Sequence, residues 1–253
     1  MKYYSDLLKM GCFSRDDVCK LVGNYETASS LIKTYLQRGY IRVVKRNLFV
    51  VINLADNEPV LSKFQIGSKL TETAYISHHS AFEYYGRANQ VAYKVTVSSN
   101  TRFAPFYFHG NTYARLPSHI SEGIVSTLDN VRITDPERTL LDSIYDFEDD
   151  MGLEELLRCL SLVPSANENR LLAYLPLYNR QFLYQKTGYV LQHFKEELRL
   201  SDSFFTECAA HIGNSIRYLS TKKEGKYNKV WQLIVPENLM AIISKGAFED
   251  ADV

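Results

Sequence analysis

The sequence lacks the spacings that most metal, redox and phosphate chemistry requires. Its four cysteines, Cys12, Cys19, Cys159 and Cys208, form no C-x-x-C pair. That excludes a zinc knuckle and a thioredoxin-type motif, and the spacing suggests no disulfide framework. No glycine-rich phosphate loop is present, because Gly11, Gly23 and Gly39 stand alone where helices are expected to end. No G-x-S-x-G elbow and no H-E-x-x-H pair occurs. No apolar run approaches the roughly 18 residues of a membrane span, and the start does not read as a signal peptide. The expected address is therefore the cytoplasm, with no membrane partner. Internal repeats and low-complexity stretches are also missing.

Net charge is lacking too: 29 basic residues balance 29 acidic ones. The distribution is uneven. Residues 1–50 carry nine Lys/Arg against four Asp/Glu, a net of +5. Residues 51–150 carry eight against thirteen, a net of −5, and the remainder carries twelve of each. A basic head before an acidic middle suggests modules with different partners. The chain's 253 residues are enough for two domains. Tyrosine is abundant, at 18 residues, and is read as core and interface filling rather than as base-stacking platforms.

The basic head has a recognisable order. A first helix is expected over residues 3–10, closed by Gly11. Ser14, with Asp17 three residues on, reads as the cap of a second helix that buries Val18, Leu21 and Val22. Gly23-Asn24 is a turn. A third helix is expected over 26–38, with Ala28, Leu31, Ile32, Tyr35 and Leu36 in an i, i+3, i+4, i+7, i+8 stripe. The period then changes to that of two strands, 40–44 and 48–52, joined by the tight basic turn Lys45-Arg46-Asn47. Three helices followed by a two-stranded hairpin is the order of a winged helix-turn-helix, placed at residues 1–56. Residues 53–62 are polar, contain Pro59 and read as a linker.

The second domain is expected at 63–253: mixed over 63–150, mainly helical over 151–220, with a final strand at 227–235. Ser77 reads as the cap of a short helix ending at Gly86. Hairpins are expected around Gly110 and around Asp129-Asn130. Asp135-Pro136 reads as a helix cap and first turn, with Glu137 favourably placed near the positive helix end. Leu140, Leu141 and Ile144 form the buried face, and Arg138 and Asp142 lie one turn apart. Four further helices are expected over 153–162, 168–178, 181–198 and 202–211. The fold class is α+β.

A helix that reads the major groove needs short polar and cationic side chains on its outward face. The third helix offers Ser29, Ser30, Lys33, Thr34 and Gln37 there, with Tyr25 and Thr27 at its start. Arg38, Arg42, Lys45 and Arg46 are candidates for phosphate contacts that set register. The alternative is a solvated face on a protein-interaction module. A later cluster, Lys222, Lys223, Lys226 and Lys229, with Tyr227 and Trp231, is either a solvated loop or a secondary basic surface.

Catalysis is not expected. His78-His79 is the most metal-like feature, but adjacent helical side chains point about 100° apart, so one buried and one exposed imidazole is the reading. His109 and His119 are too dispersed to change it. Asp135, Glu137 and Asp142 lack the E-x-K strand element of a nuclease, so neither a metal nor another cofactor is expected.

Three segments resemble those of the AbiEi family of abortive-infection antitoxins. They are Ala74-Tyr75-Ile76-Ser77-His78-His79-Ser80-Ala81 leading to Glu83-Tyr84-Tyr85-Gly86, then Ile133-Thr134-Asp135-Pro136-Glu137-Arg138-Thr139-Leu140-Leu141-Asp142, then Trp231-Gln232-Leu233-Ile234-Val235-Pro236-Glu237-Asn238-Leu239. The resemblance implies an antitoxin of a type IV toxin–antitoxin phage-defence system. Its winged helix would bind promoter inverted repeats and repress its own operon. Its C-terminal domain would counter a nucleotidyltransferase toxin without a lasting complex. His78, His79, Asp135, Pro136, Glu137, Arg138 and Asp142 are then motif residues with structural roles. A monomer or weak dimer would place two copies on one operator. The alternatives are a protein-interaction adaptor and a stand-alone regulator without antitoxin activity.

Overall fold

The structure, a computed structural model, describes residues 2–147, 149–221, 224–237 and 239. It is an α+β protein with two compact units. The first comprises Met1–Ile76, Tyr93–Pro117 and Ser126–Arg132; the second comprises Ser77–Ala92, Ser118–Val125 and Ile133–Val253. The boundary expected near residues 56–63 thus falls inside the first unit. No described helix is long and apolar enough to cross a membrane.

The first unit opens with helices α1 (Tyr4–Met10), α2 (Arg15–Val22) and α3 (Tyr25–Gln37). Gly11 ends α1 at φ 67°, a left-handed backbone that a side chain would strain, and donates to Leu7 O at 2.9 Å. A Cβ there would also come within 2.7 Å of Leu61 Cδ2. Ser14 and Asp17 form the reciprocal capping box expected for α2. Asn24 caps α3, its Oδ1 accepting from the backbone N–H groups of Glu26 and Thr27. Strands β2 (Ile41–Lys45) and β3 (Leu48–Val51) pair antiparallel, and β1 (Cys12–Phe13) adds to the other edge of β3. This two-residue strand is not visible in the sequence pattern, because pairing with Phe49 and Val50 defines it. Leu7, Phe13, Val18, Ala28, Ile32, Tyr35, Ile41, Phe49 and Val51 share one buried core.

The expected linker is instead a hydrogen-bonded turn. Asn53 donates to Glu58 O at 2.8 Å and Val60 to Val51 O at 3.0 Å, so the chain doubles back on β3. Backbone pairing between Ile52 and Pro59 closes it. Helix α4 (Lys63–Ser68) follows, carrying a second capping box from Ser62 and Gln65. The strands β4 (Tyr75–Ile76), β5 (Lys94–Ser98), β6 (Phe106–Phe108) and β7 (Asn111–Leu116) lie in the order β6-β7-β5-β4. The β6–β7 hairpin turns at Gly110 as expected, and β5 runs parallel to β7. Strands β8 (Ile124–Ser126) and β9 (Arg132–Thr134) flank the turn at Asp129-Asn130 and span the division between the units.

The second unit is mainly helical: α5 (His78–Tyr84), α6 (Pro136–Asp146), α7 (Asp150–Leu160), α8 (Glu168–Tyr174), α9 (Gln181–Gln192), α10 (Lys195–Leu198) and α11 (Asp202–Ala210). Two expected helices are divided. The one over 168–178 tightens into a 3-10 turn at Leu175–Tyr178, where Pro176 lacks the donor an α-helix needs. The one over 181–198 breaks after Gln192, where His193 and Phe194 donate to carbonyls three residues back. The single strand expected at 227–235 is also corrected. Strands β11 (Lys226–Asn228) and β12 (Leu233–Val235) form an antiparallel pair, and β10 (Arg217–Tyr218) joins β12 in parallel. The chain turns between them because Trp231 is drawn into the core, with Asn228 Oδ1 accepting its backbone N–H at 3.0 Å and Gln232 at φ 50°.

Candidate nucleic-acid interface

Helix α3 presents the polar face that its periodicity requires. Tyr25, Thr27, Ser30, Lys33, Gln37 and Arg38 are exposed, and Thr34 is half-buried. Ser29 departs from the expectation. Its hydroxyl is buried and has no hydrogen-bond partner among the described residues. The reason is its place beside Ala28 and one turn before Ile32, at the margin of the apolar stripe. In the β2–β3 hairpin, Arg46 is exposed while Arg42 and Lys45 are half-buried. Among the described residues, Lys33, Arg38, Arg42, Lys45 and Arg46 form no ion pair with a carboxylate.

Tertiary contacts add residues that the spacing does not reveal. Arg15, at the start of α2, donates through Nη1 to Tyr25 Oη at 2.8 Å, and its guanidinium carbon lies 5.6 Å from the Tyr25 ring centroid. Arg15 N–H also donates to Asn47 Oδ1 at 3.2 Å, tying the tip of the hairpin to α2. Asn47 sits at φ 60° in that tip. Lys45 Nζ lies 5.4 Å from the centroid of Phe103. Burial lowers the pKa of Lys45 from its ordinary value. Arg102, next to Phe103, is exposed, which adds a cation beside the hairpin. Nothing in the local sequence signals Arg102 and Phe103, because they lie more than fifty residues downstream.

The motif residues of the second unit are buried and mutually bonded. Asp135 Oδ1 caps α6 by accepting from Arg138 N–H at 2.8 Å, and its Oδ2 accepts from Tyr174 Oη at 2.8 Å. Glu137 accepts from Asn167 N–H at 2.8 Å. Arg170 approaches both carboxylates, at 3.7 and 3.6 Å. Arg138 Nε donates to Asp142 Oδ2 at 2.8 Å, and Nη1 donates to Ile120 O at 3.0 Å and Glu122 O at 2.5 Å. These carboxylates are committed to helix caps and an internal ion pair, geometry suited to holding α6 rather than to metal-assisted hydrolysis. Pro136 occupies the first turn of α6.

His78 is different. It lies at φ 54°, an uncommon backbone for a residue other than glycine. Ser77 Oγ is 2.8 Å from its Nδ1, and Asp146 Oδ2 is 2.9 Å from its Nε2. His119 Nε2 meets the same Asp146 oxygen at 2.8 Å. His119 is therefore not the dispersed residue that its position in the chain suggests. The Ser77–His78–Asp146 order matches a nucleophile–base–orienter chain, but Ser77 is fully buried and no substrate can reach its hydroxyl. One buried and one exposed imidazole are expected here, but His79 also keeps only 16% of its side-chain surface and lies 3.5 Å from Glu155. Among the described residues, no group of three or more His, Cys, Asp and Glu is arranged to hold a metal ion.

Burial pushes the Asp146 carboxyl up, but the hydrogen bonds from His119 and His78 outweigh it, so the pKa falls to about 2. A depressed folded-state value stabilises the fold above the ordinary carboxylate pKa, and that stability disappears as pH falls through the folded value. The contribution is on the order of 2 kcal/mol. Chemical denaturation at successive pH values should show wild type losing its advantage over Asp146→Asn between about pH 5 and pH 2. A pH-independent difference would refute this account.

No protein-family model and no curated protein sequence matches this chain. The fold is similar to that of a solved structure, the RV2827C protein from Mycobacterium tuberculosis. The two share 13% identity, with a TM-score of 0.62, over 93% of this chain and 89% of that one. At that identity the likeness concerns the fold alone.

The late basic cluster is less uniform than its spacing suggests. Lys226 pairs with Glu237 at 3.1 Å, and Lys229 is exposed. Trp231 is buried, its indole N–H donating to Gln192 Oε1 at 2.8 Å, so it belongs to the core rather than to a basic surface. Lys222 and Lys223 lie outside the described residues, as does Asn238 of the closing motif.

Proposed function

We propose that residues 1–56 are a winged helix-turn-helix that binds double-stranded promoter DNA, and that the chain is an antitoxin-type transcriptional regulator rather than an enzyme. Helix α3 is the recognition helix, and the Lys45-Arg46-Asn47 turn is the wing. The observation that supports this reading most is the set of five cations on α3, at its C-terminal cap and in the hairpin that have no carboxylate partner among the described residues. Cations without carboxylate partners suit phosphate neutralisation. Tyr25, held by Arg15, offers a positioned hydroxyl and ring at the end of α3 that meets the groove. Inverted repeats require two readers, so two copies act on one operator.

The test is a gel shift on the DNA upstream of the protein's own gene, at several salt concentrations. Substituting Lys33, Lys45 and Arg46 together with alanine should weaken binding by roughly 100-fold and lower the salt slope by about 3. Unchanged affinity in the triple variant would sink the assignment and leave a protein-interaction adaptor. The antitoxin half of the reading rests on the resemblance of the three segments to AbiEi. Co-expression of the full chain should relieve growth arrest by a nucleotidyltransferase encoded beside it. Arrest that persists leaves a stand-alone regulator.

A further inference from the structure

The second unit contains a cavity of about 930 Å³ at the start of α9. Its lining includes Arg180, Tyr184, Lys186, His211 and Arg217, and none of the described lining residues is Asp or Glu. Lys186 is committed elsewhere, since its Nζ donates to Ile144 O, Tyr145 O and Phe147 O. Arg180 and Arg217 are exposed, and neither guanidinium has a hydrogen-bond or ion-pair partner among the described residues. Three other arginines of the same unit, Arg138, Arg158 and Arg170, each face a carboxylate, whereas Arg87 and Arg199 face none among the described residues. Two unmatched guanidinium groups at one concave site favour an anion, and their planar forks suit phosphate oxygens.

The cavity also has a flat wall. The His211 ring stacks on Tyr184 with centroids 5.0 Å apart and planes 16° from parallel. Tyr184 is buried, whereas His211 is exposed. Glu207 lies 3.5 Å from His211 Nδ1 but is not among the lining residues. The loop carrying Gly213 comes close to α9, because a Cβ there would lie 2.4 Å from Gln181 Oε1. Cavities that enclose small ligands span about 300–1,000 Å³. A bare inorganic anion would leave most of this volume unfilled.

We propose that this cavity is a nucleotide site, with the phosphates on Arg180 and Arg217 and the base over the His211–Tyr184 stack. The proposal does not depend on DNA binding by the first unit. The test is calorimetric titration of the full-length protein with ATP, adenosine and inorganic phosphate. ATP should bind at least tenfold more tightly than either adenosine or phosphate. Arg180→Ala together with Arg217→Ala should weaken ATP at least tenfold while leaving the melting temperature unchanged, since both side chains are exposed. The Lys33/Lys45/Arg46 alanine variant should bind ATP as wild type does, whatever happens to its DNA binding. No ATP binding up to millimolar concentration, equal affinity for adenosine and ATP, or unaltered ATP binding in the double variant would overturn the proposal. So would loss of duplex DNA binding, with no ATP binding, as the only effect of the double variant.

Discussion

Replacing Arg138 with alanine is expected to destabilise the unfolding transition that includes the second unit by about 3–5 kcal/mol. The guanidinium is fully buried, and Asp142 keeps 1% of its side-chain surface. Removing the cation leaves a carboxylate in a poorly polarisable interior, with the Tyr178 hydroxyl at 2.7 Å as a remaining donor. It also strips Ile120 O and Glu122 O of donors supplied by Nη1. The desolvation cost of the abandoned groups, rather than the attraction lost, sets the size of the effect. Arg138→Lys should recover only part of it, because an ammonium cannot reproduce the fork that reaches Asp142 and two carbonyls at once. Pairing Arg138→Met with Asp142→Leu should be milder than Arg138→Ala alone, since no charge is then stranded. Urea denaturation of the three variants checks the order. A loss below about 1 kcal/mol for Arg138→Ala would place the pair among weak surface bridges instead.

The second large effect is expected at Gly188, in the middle of α9. A Cβ at this position would lie 2.1 Å from two ring carbons of Trp231. Glycine inside a helix costs roughly 1 kcal/mol relative to alanine, so propensity alone predicts that Gly188→Ala stabilises. The steric term has the opposite sign and is larger, because Trp231 is 2% exposed and held by its indole bond to Gln192. Overpacking a close-packed interior costs about 1–3 kcal/mol, with larger values where neighbours cannot move. Gly188→Ala should therefore lower stability by about 2 kcal/mol net. Trp231→Leu combined with Gly188→Ala should cost less than the sum of the two single changes, because the smaller side chain vacates the space the methyl needs. Thermal unfolding of the double-mutant cycle decides the matter, and strict additivity would show that the two residues do not oppose each other.

Both predictions concern segments that the sequence marks as motifs without saying why. The Asp135-Pro136 start of α6 is legible because a cap and its proline are neighbours in the chain. The i, i+4 spacing of Arg138 and Asp142 is equally legible, yet their burial is not: residues 120, 122 and 178 supply it from elsewhere. Trp231 reads in the sequence as part of a basic, aromatic loop. Its burial depends on a glycine 43 positions earlier, which no local pattern connects to it.

The sequence by itself determined what depends on neighbours along the chain. Helix caps at Ser14 and Asp135, the apolar stripe of α3, the basic turn of the hairpin and the α+β class all follow from spacings of a few residues. At those spacings, side-chain periodicity and backbone hydrogen bonding act directly. The tertiary structure alone decided what depends on distant partners. It paired β1 with β3, turned the hydroxyl of Ser29 inward, set Phe103 beside Lys45, and brought His78 and His119 to one oxygen of Asp146. It also gathered Arg180, Arg217 and the His211–Tyr184 stack around one cavity with no carboxylate among its described lining residues. Desolvation and long-range packing govern each of these, and both arise only when separated segments exclude water together.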